Sequence, residues 1–237
     1  MRRLIATILL LATTAFSLGS CSGLGSENLG TGWAYYAVHR DVTGRDVSYV
    51  EMCVKDYGKV VILLDATSAP KTVANFLSLV NDGFYDGLTF HRIITGFMIQ
   101  GGDPKADGSG GSKQTVEGEF SSNGYIGNDI KHYTGTISMA RSNDMNSASS
   151  QFFICNADAR SSLDGNYAAF GYVIMGMSVI DEITEDVFPK TEYAEYYGTS
   201  YHQIWQYYGN GAVSKKSDQP VIKYIKQLDE APSFDYE

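Results

Sequence analysis

Arg92 and Gln100 share the short stretch Phe90–Asp103, FHRIITGFMIQGGD, with Phe97, Met98 and four more large apolar residues. The stretch reads as strand, turn and strand. Gln151-Phe152-Phe153-Ile154 follows about fifty residues later. A guanidinium is always charged and offers five N–H donors in a rigid fork. Set beside an amide and apolar side chains, it can stabilise charge and hold a ligand, but it cannot attack one. Nucleophilic and phosphate chemistry find no support elsewhere. No serine lies in G-x-S-x-G. Gly108-Ser109-Gly110-Gly111-Ser112-Lys113 does not match the phosphate loop G-x-x-x-x-G-K-[ST] and reads as a surface turn next to the site. His39, His91, His132 and His202 are scattered without metal-ligand spacing. No metal and no cofactor are expected.

These residues must be positioned by a mainly β domain. Tyr49–Val54 reads as a strand with Val50, Met52 and Val54 on one face, and Val60–Leu64 as a buried strand after the turn Lys55–Gly58. Pro70 opens a helix at its first position. Val73, Phe76, Leu77 and Val80 form its buried face, and Asp82-Gly83 ends it. A second helix is expected from Ser178, with Asp181 completing a variant capping box and Ile180 and Ile183 buried. Between them lie short apolar runs, Thr89–Ile94, Met98–Gln100, Gly135–Met139, Phe152–Cys155 and Ala169–Val173, separated by Gly-rich turns. Such a pattern predicts a sandwich or a closed barrel.

The N-terminus suggests a compartment. Arg2 and Arg3 precede an apolar run, Leu4–Phe16, too short for a bilayer span of roughly 20 residues. This describes a secretory signal over residues 1–20. Leu18-Gly19-Ser20-Cys21 resembles a bacterial lipobox, which implies a diacylated Cys21 as the new N-terminus and a stable membrane anchor. Residues 21–32, rich in Gly and Ser, read as a flexible tether. Residues 1–20 hold two arginines and no acids, so the net charge of −9 becomes −11 without them. That balance excludes nucleic acid, where Lys and Arg must neutralise phosphate. Cys53 and Cys155 are expected as buried free thiols, since their spacing is not that of a metal site and two thiols alone do not make a disulfide framework, although an extracytoplasmic setting would permit a bridge.

The two segments together resemble the active-site strands of the cyclophilins, the peptidyl-prolyl cis/trans isomerases. The resemblance covers about residues 47–187 and a last strand near Pro220–Lys226. It implies a closed barrel of eight antiparallel strands capped by two helices, acting as a monomer on proline-containing polypeptides. The implied reaction is rotation about an X–Pro bond, whose barrier is roughly 18–20 kcal/mol. At the twisted state the lone pair localises on the proline nitrogen. A donor aimed at that nitrogen and a slot for the ring favour the twisted state over either planar one. The family assigns the donor to Arg92, supported by Gln100 and Gln151. It assigns the slot to Phe97, Met98, Phe153 and Leu163. Ala140 and Arg141 would present backbone groups, and Tyr167 stands where the family often has His. Phe152 and Phe153 point to opposite faces, and the match gives Phe153 to the slot. The tryptophan of cyclosporin-sensitive members should fall near Ser162 and is absent.

Two segments lie outside the resemblance. Residues 33–46 add Trp33-Ala34-Tyr35-Tyr36 and a turn at Thr43-Gly44-Arg45. Residues 188–219 form an insertion within the domain 33–230, ahead of a tail at 231–237. Its Tyr193, Tyr197, Tyr201, Trp205 and Tyr208 recur at helical spacing and are expected to pack on the barrel. The reading that results is an extracytoplasmic, lipid-anchored isomerase that folds secreted or surface proteins. A non-catalytic peptide-binding or chaperone module is the alternative, and a wall-attached structural protein a further one.

Overall fold

The computed structural model describes residues 41–187 and 211–232. Eight strands form one antiparallel sheet: β1 (Val47–Val54), β2 (Gly58–Asp65), β3 (Thr89–Ile94), β4 (Met98–Asp103), β5 (Thr136–Met139), β6 (Phe152–Cys155), β7 (Ala169–Met175) and β8 (Ile222–Leu228). Their spatial order is β3-β4-β6-β5-β7-β2-β1-β8. The helices are α1 (Pro70–Asn81), the single turn α2 (Arg160–Leu163) and α3 (Met177–Val187). The expected closed barrel is realised as a curled half-barrel with β3 and β8 as its edges. Between those edges lies one isolated bridge, Thr89 to Val221, flanked by Phe90 N–H to Pro220 O at 3.0 Å, Ile222 N–H to Leu88 O at 2.8 Å and Gly87 N–H to Ile222 O at 2.8 Å. The curl brings the edges together, but their ladders do not continue into one another.

Alternation along the strands explains the packing. Val50, Met52 and Val54 of β1 and Val60, Ile62 and Leu64 of β2 face the main core with no exposure. The opposite residues of β2, Val61 and Leu63, pack with Ile130, Ala169, Tyr172 and Ile174 in a second cluster. That second cover is why β2 reads as a continuous apolar run rather than an alternating one.

Helix α1 closes the core with Val73, Phe76 and Val80, while Leu77 is only half-buried. Pro70 takes the first position as expected. Ala69 offers no side-chain cap, and the N-terminus is served from afar. The buried Glu119 carboxylate accepts Lys71 N–H at 2.9 Å, Thr72 N–H at 2.8 Å and the Thr72 hydroxyl at 2.7 Å. A carboxylate there also answers the positive end of the helix dipole. Gly83, at φ +66°, ends the helix, the left-handed conformation costing Gly nothing. Helix α3 begins at Met177, which puts Ser178 inside the first turn rather than at the cap expected for it. Its Ile180 and Ile183 are fully buried.

An aromatic cluster fills the centre. The Phe76 ring lies 5.1 Å from Tyr85, 5.7 Å from Phe152 and 5.1 Å from Phe170, centroid to centroid. Phe152 also meets Phe90 edge-on at 6.0 Å, an arrangement that aromatic quadrupoles favour.

The turn at Thr43-Gly44 is present, closed by Arg45 N–H to Val42 O at 3.0 Å. Trp33–Tyr36, Cys21 and the aromatic stripe Tyr193–Tyr208 lie outside the described residues. Cys155 is a buried free thiol, whereas Cys53 is disulfide-bonded, which corrects the expectation of two free thiols. Among the described residues no helix is long and apolar enough to cross a membrane.

Phe152 is fully buried against the rings of Phe76, Tyr85 and Phe90, so Phe152→Ala is expected to cost about 3–5 kcal/mol in urea denaturation. Its neighbour Phe153 lies at the surface pocket, and Phe153→Ala is expected to cost clearly less.

Candidate active site

The strand register places the chemistry. Arg92 pairs with Gln100, Gln100 with Phe153, and Phe153 with Ser138. One transverse row thus runs across β3, β4, β6 and β5 on the face opposite the main core. A β-bulge makes the row possible. Phe90 pairs with Gly101 and Arg92 with Gln100, so His91 is the extra residue between them. Without the bulge, residues two apart would share a face. With it, Phe90 enters the core and Arg92 enters the site. Gly96, at φ +74° in the tight turn from β3 to β4, returns the chain so that this pairing is reached.

A third apolar cluster covers that outer face: Ile94, Met98, Phe153, Cys155, Ala159 and Leu163, with Phe97, Ala140 and Tyr167 half-buried against it. Of these, Met98, Phe153, Leu163, Phe97, Ala140 and Tyr167 line a pocket of about 190 Å³. Buried Met98, Phe153 and Leu163 make its floor, and Phe97 and Tyr167 make its walls. Arg92 and Gln100 supply polar groups on one side, and Ala140 and Arg141 the other. The sequence-expected residues are thereby gathered around one cavity, except Gln151, which stands behind Gln100.

Three side chains form a directional chain. Arg92 Nη1 donates to Gln100 Oε1 at 3.2 Å, and Gln100 Nε2 donates to Gln151 Oε1 at 2.9 Å. Gln151 Nε2 then donates to Gly108 O at 3.0 Å and Gly110 O at 2.7 Å. Each amide is oriented by the next, which fixes which end accepts from the arginine. The loop supplying those carbonyls is held by the fully buried Asp103. Its carboxylate accepts Lys105 N–H at 2.8 Å and Gly108 N–H at 2.6 Å. Burial would raise the Asp103 pKa, but these backbone donors outweigh it and keep the carboxyl below its usual range. The Gly-rich turn is therefore an anchor for the site rather than mere surface.

Burial lowers the Arg92 pKa, with Tyr167 opposing. A cation in an apolar pocket is weakly hydrated, so its donors are worth more than in water. The Arg92 guanidinium also lies 3.8 Å, nitrogen to sulfur, from Met98 Sδ.

Behind the floor lies a buried relay that the sequence did not disclose. His132 stacks on Phe153 with centroids 6.1 Å apart and an interplanar angle of 20°. Its Nδ1 lies 2.9 Å from Asp164 Oδ1 and its Nε2 lies 3.0 Å from Ser138 Oγ. Burial lowers the His132 pKa against the pull of Asp164. The neutral ring then donates from Nδ1 and accepts the Ser138 hydroxyl at Nε2. Ser138 is fully buried, so this trio braces the pocket floor and has no access to a substrate as a nucleophile. His-Tyr-Thr-Gly ahead of β5 gave no sign of it, because Asp164 joins from a distant loop. Among the described residues, no cluster of His, Cys, Asp or Glu could hold a metal ion.

The pattern described as "Cyclophilin type peptidyl-prolyl cis-trans isomerase/CLD" matches residues 49–197. The chain belongs to the cyclophilin family of peptidyl-prolyl cis-trans isomerases. It is 42% identical over 132 residues to peptidyl-prolyl cis-trans isomerase A of Dickeya dadantii, covering 54% of this chain and 67% of that one. It is 42% identical over 124 residues to isomerase B of Bacillus subtilis, covering 52% and 82%. A Cryptosporidium parvum cyclophilin crystallised in the presence of the dipeptide Ala-Pro superposes with a TM-score of 0.60 at 27% identity, over 77% of this chain and 99% of that one. This cyclophilin is mainly β.

Buried, neutral histidines set a pH dependence. His91 and His132 are both pushed below the ordinary 6.5 by burial. Between their folded values and 6.5 the unfolded chain binds more protons, so stability rises with pH through that window. It is lost as pH falls below 6.5. The urea midpoint is accordingly expected to be lower at about pH 5 than at about pH 7.5; equal midpoints would contradict neutral burial of these rings.

Proposed function

We propose that this cyclophilin isomerises X–Pro bonds of secreted or surface polypeptides, with Arg92 as the electrostatic catalyst. The observation that carries the reading is Arg92 held over an apolar pocket by the Gln100–Gln151 chain. The pocket has room for a proline ring and a floor without polar groups. Tyr167 and Phe97 would confine the ring while the preceding carbonyl swings. As the amide twists, the lone pair leaves conjugation and collects on nitrogen. An N–H of Arg92 donates to it there, a bond that is weak in the planar ground state and strong in the twisted one. Only such differential binding lowers the barrier. The relatives' names and the Ala-Pro dipeptide present with the Cryptosporidium protein support this substrate class.

The site of action follows from the N-terminus. The signal-like segment 1–20 and the lipobox-like Leu18–Cys21 support a diacylated Cys21 outside the cytoplasm of a bacterium, with residues 21–32 as tether. A diacylated Cys21 has its sulfur in a thioether and cannot also bond another cysteine, and Cys155 is a free thiol, so in the anchored form Cys53 is a thiol rather than half of a disulfide. In detergent partitioning, the mature protein is expected in the membrane fraction and Cys21→Ser in the soluble one; a Cys21→Ser protein that stays in the membrane would contradict the anchor.

Arg92→Ala is expected to lower kcat/KM on a proline tetrapeptide by about 10²–10³, as loss of one preorganised donor does elsewhere. Circular dichroism checks that the variant folds. Wild-type protein without acceleration would sink the enzyme reading in favour of a peptide-binding module. Exposed Ser162, immediately before Leu163, stands where sensitive members carry tryptophan. Cyclosporin A is therefore expected to bind weakly, and a nanomolar dissociation constant would refute that.

A further inference from the structure

Arg141 follows β5 by two positions and lines the pocket across from Arg92. The reaction itself needs only its main chain, yet its side chain is tightly placed. Nε donates to Asn166 O at 3.0 Å and Nη1 donates to Ser142 O at 2.9 Å. The guanidinium carbon lies 4.8 Å from the centroid of Tyr167 and 5.3 Å from that of Phe120. All four partners are neutral.

The contrast with other cations is informative. Arg160 also stacks on a ring, Tyr133 at 4.2 Å, but it pairs with Asp158 at 2.6 Å. Arg45 pairs with Asp65 at 2.8 Å, and Lys226 with Glu51 at 3.1 Å. Arg141 forms no ion pair among the described residues, and its Nη2 makes no hydrogen bond there. The chain has 27 acidic residues against 18 basic ones, yet this guanidinium is packed on rings and carbonyls rather than on a carboxylate. It is ordered in the free protein by rings and carbonyls, which removes the cost of fixing a long side chain on binding.

We propose that Arg141 is a specificity-determining residue that favours peptides carrying a carboxylate side chain on a residue flanking the proline. The inference rests on the reading of this pocket as the proline site. A carboxylate there meets a preplaced guanidinium whose Nη2 donors are not taken up by the described residues, so it can accept a charge-assisted hydrogen bond. A substrate lysine meets two guanidiniums, Arg92 and Arg141, and is repelled.

The test uses peptides that differ only beside the proline, with Glu, Gln or Lys before it in one series and after it in the other. For each protein, kcat/KM is measured by NMR exchange and Kd by NMR titration. Wild type is expected to prefer Glu over Gln by about fivefold in one of the two series, the scale of a partly exposed ion pair, and to disfavour Lys. High salt should shrink the preference. In Arg141→Ala the Glu-to-Gln ratio should fall to about one whatever the absolute rate, and in Arg141→Glu it should invert. Should Arg141→Ala fail to fold, Arg141→Gln, which keeps an amide donor without the charge, carries the same comparison. A wild-type ratio near one in both series, or a ratio that survives in the variants, overturns the proposal. If wild type accelerates no peptide, the isomerase reading fails, while the Kd ratios still judge Arg141.

Discussion

The structure depends on one constraint, the pairing of Arg92 with Gln100 across β3 and β4. A register slip of one residue would turn every side chain of a strand to the other face. Here it would bury the guanidinium among Phe76, Tyr85 and Phe152 and push Phe90 into solvent. The bulge at His91 resolves the conflict between two demands on one strand. Phe90 belongs to the aromatic core and Arg92 to the pocket, although they are two residues apart. The extra residue flips the face between them. His91 is left with both ring nitrogens unpartnered among the described residues, a cost of burying polar atoms without bonds. The aromatic cluster on the inner face and the apolar floor on the outer face hold the register from both sides.

Around that pairing the site is built by successive supports. Asp103 holds the Gly-rich loop, the loop carbonyls hold Gln151, Gln151 holds Gln100, and Gln100 holds Arg92. Each step uses a buried or half-buried polar group whose partner is preplaced, so on the proposed mechanism little reorganisation would accompany the twist of the substrate. The floor is supported in the same manner, by His132 stacked beneath Phe153 and fixed by Asp164 and Ser138. No group in this machinery changes covalent state. The arrangement suits a reaction whose transition state differs from its ground state mainly in where one lone pair resides.

Much of this was legible in the residues. Strand edges at Thr89–Ile94 and Phe152–Cys155, the Pro70 start of α1 and the opposite facing of Phe152 and Phe153 all follow from local periodicity and backbone chemistry. The pocket residues were legible through family resemblance, since an arginine or a phenylalanine alone does not announce its neighbours. What escaped was non-local. The bulge depends on pairing with Gly101 and Gln100, and nothing in Phe-His-Arg displays it. Glu119 serves a helix far back in the chain, so the missing cap at Ala69 had no visible substitute. The Asp164–His132–Ser138 relay joins three segments through the fold. Arg141 reads as backbone in a strand-end match, and its ring partners Phe120 and Tyr167 come from two other loops.

The central claim is that Gln100 acts through Arg92 rather than independently. A double-mutant cycle on kcat/KM tests it, with Arg92→Ala, Gln100→Ala and the double variant compared with wild type. The account predicts that Gln100→Ala lowers the rate in the presence of Arg92 and changes it little once Arg92 is gone. Losses that simply multiply, with Gln100→Ala equally damaging in both backgrounds, would contradict it.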